Sequence, residues 1–215
     1  MFYKVEDIPD EQTMQAVVAE LLPLVPFARR EKALRYRHLH GQYCCLRAWA
    51  MLHELLIAHS FLPAQFPLSD LTYTEDAYGK PYFSAAVFAL LAQRSFSVAV
   101  CFSLSHTKCA IAVAIDRRPV GIDVESLASA RRLEPVFLDR TMNADEQARI
   151  RKAADSESAC LTFTELWTRK EALVKALGTG LNINTLPDLL GRQTGFDLRT
   201  FHTASYACSI AVTEM

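Results

Sequence analysis

The sequence predicts an α+β fold, and three observations carry that reading. Apolar residues recur at helical spacing around 11–22, 42–60 and 158–177. Short stretches at 97–104, 110–115, 120–125 and 206–213 read as strands, bounded by turn residues. The chain has 215 residues and is 51% hydrophobic, enough for one large core or two smaller ones.

The elements follow in order. Met14, Val17, Val18 and Leu21 fall at i, i+3, i+4 and i+7, an amphipathic helix with Asp10 as its N-cap. Residues 29–40 are basic, carrying Arg29, Arg30, Lys32, Arg35, Arg37 and His38. A long apolar helix is expected from Gln42 to Ser60, ended by Pro63 and Pro67. Tyr78-Gly79-Lys80-Pro81 reads as a turn between two strands within 73–83. Ser97–Leu104, Ala110–Ile115 and Val120–Glu125 are the next strands, with Arg117-Arg118-Pro119 as a turn. Residues 126–142 are less regular. Asn143 with Glu146 three residues on forms a capping box for a helix through Ile150. The helix from about Ser158 to Leu177 meets a stop at Gly178. Tyr206–Thr213 sets Cys208, Ile210 and Val212 on one strand face. An internal boundary near Pro119 divides 1–119 from 120–215.

Composition excludes several function classes. The net charge of -1 gives no basic excess for nucleic acid. The first residues are too polar for a signal peptide, and no apolar run approaches the roughly 20 residues that span a bilayer. The expectation is a soluble, cytoplasmic protein without membrane or nucleic-acid partners. Six cysteines show neither a CxxC pair nor zinc spacing and read as buried free thiols. His38-Leu39-His40 reads as a polar face before a helix.

Chemistry concentrates in two segments. In Gly121-Ile122-Asp123-Val124-Glu125, Asp123 and Glu125 point to one strand face, while Ile122 and Val124 point to the core. Two adjacent carboxylates repel unless a cation or proton lies between them, and Mg²⁺ suits such a site. Taken alone, an exposed strand edge with two solvated acids is the plainer reading. In Trp167–Gly178, Trp167, Glu171, Val174 and Gly178 share one helix face, with Lys175 one turn beyond Glu171. The plain alternative is an i,i+4 Glu–Lys pair worth about 0.3–0.5 kcal/mol. Ser103, Ser105 and His106 end a strand with groups able to bind phosphate, or simply form a polar turn.

In this order the segments resemble the Sfp-type 4′-phosphopantetheinyl transferases. The matching motifs are Gly79-Lys80-Pro81, Ser105-His106, Gly121–Glu125 and Trp167–Lys175, with the basic segment Arg29–His38 upstream. The resemblance covers nearly the whole chain. The shorter holo-acyl-carrier-protein synthases share the later motifs, but the N-terminal half here matches the Sfp type. That family implies two similar α/β subdomains fused as a pseudo-dimer, with the active site in the cleft between them. Residues 1–119 would be the coenzyme A-binding half and 120–215 the metal-binding and catalytic half of a monomer.

What the resemblance implies is a Mg²⁺-dependent (or Mn²⁺-dependent) transfer of the 4′-phosphopantetheine arm of coenzyme A. The acceptor would be a serine of an apo acyl or peptidyl carrier protein, and 3′,5′-ADP leaves. Asp123, Glu125 and Glu171 would bind the metal. Glu171 would take the serine proton, and Lys170 and Lys175 would face the phosphates. Ser105 and His106 would contact coenzyme A phosphates, Lys80 and Pro81 the adenine side, and Arg29 and Lys32 the 3′-phosphate. Where many relatives carry a further arginine, Cys44 stands, and Arg47 one turn later is the expected substitute. Phe137, Leu138 and Met142, with Arg131, Arg132 and Arg140, would offer the carrier an apolar and basic surface. Two other readings remain open: a Mg²⁺-dependent nucleotide pyrophosphatase and a non-catalytic coenzyme A-binding protein.

Overall fold

The chain opens on a strand, β1 (Phe2–Asp7). The structure, a computed structural model, describes residues 1–93, 100–127, 133–182, 184–192 and 194–214. Asp10 starts α1 (Glu11–Leu21), its Oδ1 accepting the Thr13 N–H at 2.8 Å. The basic segment folds as α2 (Phe27–Leu34) and the apolar one as α3 (Leu39–Ala58). A small antiparallel hairpin, β2 (Tyr73–Glu75) and β3 (Pro81–Phe83), turns through Tyr78 and Gly79, as its turn residues predict. Next come α4 (Ala85–Ala92), β4 (Cys101–His106), β5 (Ala110–Asp116) and β6 (Val120–Ser126). Then follow α5 (Pro135–Thr141) and α6 (Ala144–Arg151), whose Asn143–Glu146 capping box is present as expected. α7 (Ser156–Leu177) ends at Gly178 with φ of 71°. The last elements are α8 (Leu189–Arg192), β7 (Phe196–His202) and β8 (Tyr206–Thr213).

Several elements were not legible in the sequence, β1, α4 and α5 among them. β1 mixes polar and apolar residues and becomes a strand by pairing with β5, Phe2 opposite Ile115 through Asp7 opposite Ala110. α4 is apolar all round and so lacks a periodic signature. α5 occupies the segment read as irregular, with Pro135 in its first turn. The expected strand 97–104 lies four residues further along, at Cys101–His106, and its first expected residues fall outside the described ones. Ser105 and His106 therefore belong to a paired strand rather than a turn, because β5 continues opposite them, His106 facing Ile111.

Two three-stranded sheets result, ordered β1-β5-β4 and β6-β8-β7. β5 serves both sides of the first sheet. Ile111, Val113 and Ile115 join α3 in one core, while Ala110, Ala112 and Ala114 pack on Ile122, Val124 and Ile210 of the second sheet. Alanines on that face let the two sheets approach. α7 covers the other face of the second sheet, packing Ala172, Leu173 and Ala176 around Ala211.

The edge strands β4 and β6 meet without a backbone ladder. Instead, Ser103 Oγ accepts the Ile122 N–H at 3.0 Å, Ser105 Oγ that of Val124 at 3.2 Å, and Thr107 Oγ1 that of Ser126 at 3.2 Å. Side chains two residues apart point the same way along a strand, so these hydroxyls form evenly spaced rungs. They satisfy edge N–H groups that burial would otherwise leave costly.

Candidate active site

The rungs bring the two sequence segments together. Asp123, buried on β6, accepts at one oxygen, Oδ1, from Ser105 Oγ at 2.9 Å and from Lys175 Nζ at 2.7 Å. The Lys175 ammonium also donates to the Ile122 carbonyl at 3.1 Å. Glu171 lies one turn before Lys175 on α7. Its carboxyl is pushed up to about 7, first by burial and then by the Asp123 charge, with Lys175 opposing and Glu125 adding. Ser105, His106, Asp123, Glu125, Trp167, Glu171 and Lys175 line a single open cavity. Trp167 forms its wall from a stack on Phe163, centroids 6.2 Å apart.

A second cavity adjoins the first. Tyr78, Lys80, Pro81, Phe102, Ser103 and Gly178 line it, and Leu104 and Lys175 belong to both. Lys175 thus stands in the wall between an acidic chamber and a chamber under the β2–β3 hairpin.

Residues 119–211 match the family model described as the 4′-phosphopantetheinyl transferase superfamily. The later part of the chain is similar to that superfamily. It is 29% identical over 175 residues to the 4′-phosphopantetheinyl transferase psf-1 of Bacillus pumilus, covering 80% of this chain and 66% of the relative. It is 27% identical over 156 residues to the transferase gsp of Aneurinibacillus migulanus, covering 72% and 56%. Against the transferase Sfp of Bacillus subtilis (strain 168) it is 28% identical over 162 residues, covering 72% and 61%. The chain therefore spans less than two thirds of the length of these relatives.

The expected metal set is chemically apt. Three carboxylates suit a hard divalent cation, and a cation would offset both the burial that raises Glu171 and the Asp123 and Glu125 charges that add to it. Among the described residues, however, no three His, Cys, Asp or Glu side chains already converge on one point. As placed, the nearest positive charge to Asp123 is Lys175.

Several residues expected at the site have other partners in the structure. Lys170 does not face the cavity. It is fully buried, and its Nζ donates to the Thr141 carbonyl at 2.7 Å, Glu146 Oε2 at 2.6 Å and the Pro187 carbonyl at 2.8 Å. Helical geometry explains this, since adjacent residues point about 100° apart and Glu171 takes the cavity side. Arg47, the expected substitute for the arginine absent at Cys44, has its guanidinium held by Glu6 and Glu54 between β1 and α3. Ser105 is occupied by Val124 and Asp123. Lys80 lines the second cavity, but its ammonium reaches the carbonyls of Lys175 and Ala176.

Arg29 is buried at 5% exposure, its guanidinium 4.1 Å from the Trp49 ring and 4.7 Å from Tyr73. Among the described residues its Nε has no hydrogen-bond partner, and Nη1 meets Cys45 Sγ at 3.6 Å. Lys32 pairs with Glu75 of β2 at 2.5 Å. On the expected carrier surface, Leu138 and Met142 are core residues packed with Ile150, Phe163 and Leu166. Val136, 67% exposed, stands there with Arg140, while Arg131 and Arg132 lie outside the described residues.

Sequence reasoning missed His40. Burial holds His106 below its usual value, with the charges of His40 and then Lys175 adding, and His40 Nε2 lies 3.6 Å from Cys44 Sγ. The His38-Leu39-His40 run carried no spacing that marked it. The Ser103, Ser105, Thr107 alternation was a usable signal, since hydroxyls at strand spacing mark one buried polar face.

Proposed function

We propose that the protein is an Sfp-type 4′-phosphopantetheinyl transferase, moving the phosphopantetheine arm of coenzyme A to a serine of an apo acyl or peptidyl carrier protein. The single observation that supports it most is the place of Lys175, in the wall common to both cavities and one turn from Glu171. A pyrophosphate lying across that wall would meet the ammonium from either side. The match of residues 119–211 to the superfamily model and the names of the relatives agree with this reading.

The serine oxygen attacks the β-phosphorus, and the bond from that phosphorus to the bridging oxygen breaks. 3′,5′-ADP departs with the bond's electron pair, and the serine proton passes to Glu171. A carboxyl pushed up to about 7 is matched to that task, since it can take and release a proton near neutrality. Lys175 offsets charge growing on the phosphoryl and bridging oxygens. His106 at the rim and Arg29 with Lys32 behind the hairpin serve the 3′-phosphate, and Pro81 with the backbone at Lys80 lines the nucleotide side, the Lys80 ammonium being engaged by the end of α7. Mg²⁺, held by Asp123, Glu125 and Glu171, would supply further neutralisation of the pyrophosphate when bound. In this reading residues 1–119 and 120–215 are the halves of a monomeric pseudo-dimer, with the site in the cleft between them. Val136, Phe137 and Arg140 stand at the carrier's docking face.

The test is direct. The protein is incubated with coenzyme A, Mg²⁺ and several apo carriers, and each carrier is weighed by mass spectrometry. A gain of one phosphopantetheine arm is expected. No gain on carriers of both fatty-acid and peptide type would sink the proposal, and coenzyme A breakdown without carrier would mark a pyrophosphatase.

A further inference from the structure

The β2–β3 turn is organised by one carboxylate. Asp76 Oδ1 accepts the backbone N–H of Tyr78 at 2.8 Å and of Lys80 at 2.9 Å, and Oδ2 accepts the Tyr82 hydroxyl at 3.3 Å. Gly79 takes φ of 80°, a left-handed angle that closes the turn without a Cβ penalty. The turn is therefore rigid, and it delivers the Lys80 side chain to the C-terminal end of α7. There Nζ lies 2.5 Å from the Lys175 carbonyl oxygen and 3.4 Å from that of Ala176.

Those carbonyls are among the last four of the helix, which a continuing helix would have paired. Gly178 ends it instead, its own N–H returning to the Val174 carbonyl at 2.8 Å. A cation there also meets the negative end of the helix dipole. The contact joins residues 95 apart in sequence. The hairpin strands are three residues each, too short to hold a fixed position alone. Clamp and helix end therefore fix each other. Lys175 is gripped at both ends, its carbonyl by Lys80 and its ammonium by Asp123 at 2.7 Å.

We propose that Lys80 is a positioning residue: its ammonium closes the C-terminus of α7 and so sets where the Lys175 ammonium stands against Asp123, a role separate from contact with a ligand. The kinetic part of the test rests on the transferase reading; the exchange part does not.

The experiment compares wild type with Lys80→Met, Lys80→Gln, Lys80→Arg, Lys175→Ala and the Lys80→Met/Lys175→Ala double variant. Amide hydrogen exchange is followed at 176–180, coenzyme A affinity by calorimetry, and transfer by steady-state kinetics. Lys80→Met should lower kcat about five-fold or more, leave the coenzyme A Kd within about two-fold, and speed exchange at 176–180 about ten-fold. Lys80→Arg should restore most of each, and Lys80→Gln should fall between. On the Lys175→Ala background, Lys80→Met should cost no further rate, since its effect passes through Lys175. A rise in the coenzyme A Kd with kcat and exchange unchanged would overturn the proposal and make Lys80 a ligand contact. Multiplying losses in the double variant would also overturn it. If Lys80→Met does not fold, Lys80→Gln carries the same comparisons. If wild type modifies no carrier, the transferase reading fails while unchanged exchange at 176–180 still refutes the clamp.

Discussion

Gly121 of β6 and Ala172 of α7 lie backbone to backbone: a Cβ added at Gly121 would stand 2.0 Å from the Ala172 carbonyl oxygen and 2.5 Å from the Ala176 nitrogen. This close approach sets the distance between the strand that carries Asp123 and the helix that carries Glu171. Gly121 is required for space, not for an unusual backbone angle. Gly121→Ala should force α7 off the sheet, costing about 3 kcal/mol or more. Urea denaturation of the purified variant measures this; a loss under half that size would show that α7 can shift without cost.

Ser105 satisfies the Val124 N–H and orients Asp123. Ser105→Ala leaves a buried donor unpaired and should cost about 1–3 kcal/mol. Ser103→Ala removes the neighbouring rung at Ile122, at a similar cost, without touching Asp123. Comparing both by denaturation and by transfer rate separates the rung from the site: transfer should fall further in Ser105→Ala.

Lys170 and Glu146 form a buried pair at 2.6 Å, and Glu146 also accepts the Asn143 N–H that caps α6. Lys170→Met strands a buried carboxylate and should cost about 3–5 kcal/mol. The double variant Lys170→Met/Glu146→Gln should recover part of that. Thermal melts of the three proteins check it; a Lys170→Met protein of wild-type stability would contradict the assignment.

The Glu171 carboxyl titrates near 7 in the folded chain, above its ordinary value of 4.5. The folded state therefore holds a proton that the unfolded state releases earlier. Its contribution to stability is complete below about pH 4.5 and is lost as pH rises through about 7. Glu171→Gln should flatten this fall. A divalent cation favours the carboxylate, so Mg²⁺ should raise the melting temperature more at pH 8 than at pH 6. Melts across pH with and without Mg²⁺ decide this, and a pH-independent Mg²⁺ effect would count against Glu171 as a ligand.

Glu6 and Glu54 are depressed below their ordinary value; burial works against this, but hydrogen bonds from Arg47 and Lys4 outweigh it. Stability from these groups is present above about pH 4.5 and is lost as pH falls through their folded values. The pairs are partly solvated, so each is worth about 1 kcal/mol or less. Arg47→Met should weaken the acid dependence between pH 3 and 5, roughly, and leave the coenzyme A Kd unchanged. A large rise in that Kd would return Arg47 to the ligand site.

Much of this was legible along the chain. Asp10, the Asn143–Glu146 box and Gly178 mark helix ends because caps act on neighbouring backbone groups. The strand spacing of Asp123 and Glu125 and the helical spacing of Glu171 and Lys175 put each pair on one face by covalent geometry. β1 was not legible, because its strand form depends on β5, more than a hundred residues away.

By itself the sequence determined the long amphipathic helices and the central strands, the faces of its acidic motifs and the family they resemble, all properties of near neighbours and their order. Only the tertiary structure decided which charges are free to act. Lys170, Arg47 and Lys80 look like Lys175 in the sequence, each a base beside a motif. Each is committed to acceptors far along the chain, Glu146, Glu6 and the end of α7. A buried charge needs a partner more than it needs a ligand, and partners are assigned by packing.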